Sequence, residues 1–224
     1  MSAGSVTFGI VKVFTELDPT GISSAIVTSI EEIKREATEQ YIQELVNVGT
    51  NITPTLENKK GLIKAQLLID KALENTYRHD KIKRLAQLFA HYAISGLVEP
   101  GDNFEEALKI IEEVSEKEFG ILSLLYELEI NNPPTADQNA AERVNTYWEE
   151  FRARCISDFL MEESEFAGRL ERLKRTGLIQ GMQYFIMVPR YYLTGVYRQL
   201  LLTLGIAINP AWIPIKESEI IAST

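Results

Sequence analysis

The sequence predicts a mostly α-helical protein in which an amino-terminal helical hairpin or bundle precedes a smaller α+β region. Three observations predict it. From Ile22 the apolar residues recur at Ile26, Ile30, Ile33, Ala37, Tyr41, Leu45 and Val48, spacings of three and four that draw one stripe along a helix of about seven turns. Between residues 62 and 128 further runs of the same period follow one another, separated by Gly, Pro, Asn and Ser. After residue 177 the pattern changes to short aliphatic and aromatic runs at residues 178–179, 184–188 and 191–193, the size and composition of strands in a hairpin.

Taken in order, residues 6–14 are rich in Val, Ile and Phe and end at Asp18, Pro19, Thr20 and Gly21, which reads as a short strand or ordered arm before a turn. The helix that follows carries Glu31, Glu32, Lys34, Arg35, Glu36, Glu39 and Gln40 on the face opposite its stripe. So long a stripe needs a partner, because a lone helix in water has nothing on which to bury it. After a turn at residues 49–54, Leu62, Leu67, Leu68, Ile69, Ala72 and Leu73 mark a second, antiparallel helix. A third from Asp80 places Ile82, Leu85, Ala86, Leu88, Phe89 and Tyr92 inward and stops near Gly96.

Asp102 or Asn103 can cap the next helix, whose core face is Phe104, Ala107, Leu108 and Ile111. Ser115 caps another, with Glu118 three residues on as a capping box requires, and Phe119, Ile121, Leu122, Leu124, Leu125 and Leu128 form its buried face. Asn131, Asn132, Pro133 and Pro134 stop it, and residues 131–140 read as an exposed loop. Ser164 can cap a helix with Leu170 and Leu173 on its inner edge, and Gly177 suits the left-handed residue that ends it. The chain divides into a helical bundle with its arm at 1–114, a second region at 115–208 and an extended tail at 209–224. In that tail Trp212 stands between Pro210 and Pro214, in an arm that packs on its own domain or on a neighbour.

Composition narrows the function classes. At 224 residues with 45% hydrophobic and 25% charged residues, the chain is ordinary globular material with enough apolar surface for a core. A net charge of −9 argues against a surface built wholly to hold phosphates, though local basic patches remain open to it. The single cysteine, Cys155, has no internal disulfide partner and reads as a buried thiol in a reducing compartment. The apolar run at 200–208 is far short of the roughly 20 residues of a membrane-spanning helix, and the amino terminus lacks the basic start of a secretory signal. A cytoplasmic protein is expected.

Chemistry is sparsely signalled. His79 and His91 belong to no His-Glu-x-x-His, Glu-x-x-His or Cys cluster, so no metal and no cofactor is expected. No phosphate-binding Gly-rich loop, dinucleotide fingerprint or Gly-x-Ser-x-Gly elbow is present, and no catalytic residue is assigned. The glutamates Glu105, Glu106, Glu112, Glu113, Glu116 and Glu118 read as a solvated face.

The run Arg175-Thr176-Gly177-Leu178-Ile179 after a helix, followed by Tyr191-Tyr192-Leu193-Thr194, resembles a winged helix, in which a helix leads into a two-stranded wing. The likeness spans residues 115–204, and Tyr197 stands where a glycine often follows the Leu-Thr pair. The whole layout is loosely similar to the Abi-alpha-like bacterial proteins linked to abortive phage infection. That similarity implies a bacterial cytosolic protein with a part in phage defence.

In winged helices that bind DNA, the helix before the wing enters the major groove and basic residues hold phosphates. Here Arg169, Arg172 and Arg175 recur every three residues with Lys174 beside them, and Arg190 lies in the wing. The resemblance therefore admits a nucleic-acid-binding regulator. The competing expectation is a protein-interaction or homo-oligomerisation module, with those arginines paired to glutamates of their own helix or of the acidic helix near Glu112. Its interface would use Ile22, Ile26, Ile30, Ile33, Tyr41, Leu45 and Trp212.

Overall fold

The computed structural model describes residues 22–48, 59–74, 76, 78–95, 100–135, 138–182, 189–210, 212 and 215, with side chains from residue 31 onward. The arm expected at residues 6–14, the turns at 18–21 and 49–54, the strand expected at 184–188 and most of the tail lie outside the described residues, as do the side chains of Ile22, Ile26 and Ile30.

Helix α1 (Ile22–Asn47) is followed by α2 (Lys59–Leu73) and α3 (His79–Ser95). The described part of the α1 stripe turns inward, with Ala37 and Tyr41 buried and Leu45 half-buried. Its main partner is α3 rather than α2, and the two run antiparallel, with Glu44 near the end of α1 3.6 Å from His79 at the start of α3. The reason lies in side-chain size. Helix α2 buries mainly Gly61, Ala65, Ile69 and Ala72, whereas α3 buries Ile82, Leu85, Leu88, Phe89 and Tyr92 over a face wide enough for several neighbours. Tyr41 completes the junction by donating its hydroxyl to Gln66 at 3.2 Å.

Helix α4 (Asp102–Glu113) is capped by Gly101, not by Asp102 or Asn103. Gly101 takes the extended non-helical position, and Asp102 enters the first turn, where its charge suits the positive end of the helix dipole. Helix α5 (Glu116–Asn131) begins with the expected capping box: the Glu118 amide donates to Ser115 Oγ at 3.4 Å, and Ser115 N–H donates to Glu118 Oε2 at 2.8 Å. Buried residues surround most of α5, so it forms the central rod on which α6 (Ala140–Asp158) and the ribbon pack. Glu118 is 1% exposed, which corrects its placement on a solvated face. The capping box folds its carboxylate back, and Arg172 covers it.

Helix α6 starts from a second capping box, Asn139 with Glu142, and buries Val144, Tyr147, Trp148, Phe151 and Cys155 at intervals of three and four. Burial pushes the Cys155 thiol up to about 12, so this cysteine is a structural apolar group, as expected. Helix α7 (Glu163–Arg175) is capped by Glu162 rather than Ser164, because the chain has already turned at Leu160, φ +49°, between half-buried Phe159 and buried Met161. Gly177, φ +74°, ends α7 as anticipated. The chain then forms β1 (Ile179–Met182), antiparallel to β2 (Arg190–Leu193) with Ile179 opposite Leu193, and closes with α8 (Gly195–Thr203), which packs on α4 and α3. Among the described residues the architecture is thus mostly helical with one small two-stranded sheet, and a buried cluster runs from Ala37 to Ile215.

Leu122, fully buried in α5, and Leu67, 63% exposed on α2, separate core from surface. Leu122→Ala is expected to lower stability by about 2–5 kcal/mol and Leu67→Ala by less than about 0.5 kcal/mol, read by urea denaturation.

Candidate functional site

Trp148 and Arg152 stand one turn apart on α6, and Phe166, Leu170 and Glu171 lie on the face of α7 turned toward them. Strand β2 supplies Arg190 and Tyr191. Between the three elements is a cleft of about 590 Å³, in the range of small-molecule and peptide pockets. Its floor is apolar: the Trp148 ring lies 6.4 Å from Phe166 and 6.0 Å from Tyr191, in tilted contacts that fix the rings. Ala167, exposed between Glu163 and Glu171, keeps the α7 wall low.

Charges ring this floor. Arg152 bonds Glu163 through Nε and lies 3.5 Å from Glu149, closing one end of the cleft with a carboxylate–guanidinium–carboxylate chain. Its bond to Glu163 holds the Arg152 guanidinium still more firmly in the charged form. At the other end Tyr191 donates its hydroxyl to Glu171, and burial together with that carboxylate raises the phenol well above its usual range. Arg190, half-buried beside it, is in no ion pair among the described residues.

The wall carrying Tyr191 and Arg190 is held by a buried carboxylate. Glu129 of α5 has no exposure, and it accepts from Leu193 N–H of β2 at 2.8 Å, from Trp212 Nε1–H at 2.7 Å and from Tyr147 Oη–H at 3.5 Å. Arg143, 3% exposed, donates to the Glu129 main-chain oxygen at 3.1 Å and to that of Asn132 at 3.0 Å. Burial pushes the Glu129 carboxyl up to about 7, while the Leu193 and Trp212 donors and Arg143 pull it back.

The arginines singled out in the sequence are engaged elsewhere. Arg169, with 21% of its side chain exposed, bonds Glu165 at 2.8 Å and donates to Ser115 at 3.2 Å. Arg172 pairs with Glu118 at 3.2 Å and donates to the Glu113 carbonyl at 3.4 Å. Both therefore clamp α7 onto the junction of α4 and α5. Lys174 and Arg175 are exposed and in no ion pair among the described residues, and Arg190 belongs to the cleft. Of the residues expected at an interface, Tyr41 faces its own chain at 3% exposure, Leu45 is half-buried and Ile33 is 42% exposed. Trp212, 3% exposed, seats its indole on Glu129 with the Tyr126 ring 4.9 Å away, inside its own molecule.

Glu129, Arg143, Tyr147 and Trp148 are absent from the sequence expectations. The Asn139-x-x-Glu142 capping box was the one local signal that could have placed the last three on a helix face. No group of three or more His, Cys, Asp or Glu among the described residues could hold a metal ion, and no helix among them is long and apolar enough to cross a membrane.

The Glu129 carboxyl makes a pH prediction. Its folded value near 7 lies above the unfolded 4.5, so between these the folded state keeps a proton that the unfolded chain has released. Its contribution is therefore fully present below pH 4.5 and is lost as pH rises to about 7, on the order of 3 kcal/mol in total. Denaturation of wild type and Glu129→Gln across this window should show a stability difference that shifts against wild type as pH rises; a shift in its favour would contradict the assignment.

No protein-family model matches the chain, and no curated protein or solved structure matches it either, which leaves the cleft and its charges as the features that bear on function.

Proposed function

We propose that this chain is a non-catalytic protein-interaction module and that the cleft between α6, α7 and β2 is its docking site. The observation that carries this reading is the cleft itself. It has a fixed aromatic floor, a polar rim and a low wall at Ala167, the anatomy of a site that takes an apolar anchor inside a ring of polar contacts. The α7–β1–β2–α8 order, with Gly177 ending the helix before an antiparallel ribbon, supports a winged-helix-like arrangement used for protein contact. A bacterial cytosolic setting and a part in phage defence belong to the same proposal and rest on the loose likeness to Abi-alpha-like proteins.

Two other readings have less support. For nucleic-acid binding, Arg172 would have to leave Glu118, a carboxylate 1% exposed, and stripping a partner from such a group costs about 1–3 kcal/mol. Lys174 and Arg175 then remain on α7, a small basic surface on a chain of net charge −9. For self-association through the α1 stripe, Tyr41 and Leu45 are already spent on packing within the chain.

A photo-crosslinking residue at Ala167, inside the cleft, and at Glu105, exposed on α4, tests the docking site in the native cell. One discrete protein adduct from position 167 and none from 105 is expected. No adduct from 167, or the same products from both positions, would contradict the reading.

A further inference from the structure

The rim of the cleft is unevenly spent, and this bears on what docks there, given the interaction reading above. Arg152 has two carboxylates within reach, Glu149 and Glu163, so its charge is already met at that end. Glu171 is engaged by the Tyr191 hydroxyl. Arg190 differs. It is half-buried, lines the cleft beside the aromatic floor and has no ion-pair partner among the described residues, although a guanidinium carries five N–H donors in a planar fork suited to a carboxylate.

We infer that the occupant is a partner peptide that places an aliphatic or aromatic side chain on the Trp148–Phe166–Leu170 floor and a carboxylate on Arg190. A cationic occupant is the alternative, since three glutamates stand on the rim against two arginines. Two of the three, however, converge on Arg152, and the third would have to give up the Tyr191 hydroxyl. The chain's net charge of −9 opposes an acidic partner at long range. That field is screened over about 8 Å at physiological salt, whereas the Arg190 pair forms at contact and is partly shielded from water.

Three pools of acetylated tetrapeptide amides, randomised at the first three positions and fixed as Asp, Asn or Lys at the fourth, test the inference against the full chain. The Trp148 indole NMR signal is the reporter, assigned by its persistence in Trp212→Phe. The Asp pool is expected to half-saturate the shift at a concentration at least about tenfold below the Asn pool, and Arg190→Gln is expected to erase that difference while leaving the Asn response unchanged. Equal responses to Asp and Asn, or a stronger response to Lys, would overturn the carboxylate assignment while the docking site stands. No response to any pool at millimolar total peptide would overturn both.

Discussion

A carboxylate shut away from water is stable only if donors meet its oxygens, and Glu129 draws those donors from distant parts of the chain. Leu193 N–H comes from the ribbon, the Trp212 indole from the tail and the Tyr147 hydroxyl from α6. These bonds tie ribbon and tail to the central helix in addition to the apolar burial of Ile179, Tyr192 and Leu193. Arg143 adds a second tie by spanning the end of α5 and the following turn. This node adds to the Trp148–Tyr191 ring contact in setting the position of the Arg190 and Tyr191 wall.

A second constraint acts on the face of α7 opposite the cleft. Arg169 and Arg172 reach across to Ser115, Glu113 and Glu118, so the helix most suggestive of phosphate binding is instead fastened to the α4–α5 junction. The two ties, Glu129 on the ribbon and the arginines on α7, hold the two walls of the cleft.

Local chemistry made much of the helical framework legible. Ser115 with Glu118, Gly177 at the end of α7, the inward faces of α3 and α5 and the buried Cys155 all follow from spacing or from one residue's conformational preference. The misplaced caps at α4 and α7 were errors of one or two residues, where Gly101 and Glu162 took the extended position without a side-chain bond. The site was not legible for a different reason. Glu129 meets Tyr147, Leu193 and Trp212 across 18, 64 and 83 residues, and no local spacing in the sequence joins those positions. Helix α6 was hidden likewise, because Glu149, Glu150, Arg152 and Arg154 dilute the apolar period of Val144, Tyr147, Trp148 and Phe151. The arginine spacing was visible, and the pairing of Arg169 with Glu165 of its own helix was among the expectations, whereas the Arg172 partner Glu118 on α5 was not.

Hydrogen exchange at two protons tests the role of Glu129 most directly. In Glu129→Leu, the Leu193 amide and the Trp212 indole N–H should exchange at least about tenfold faster relative to the Leu85 amide in α3 than they do in wild type. Unchanged relative rates at both protons would contradict the account, because the ribbon and tail would then be held without the buried carboxylate.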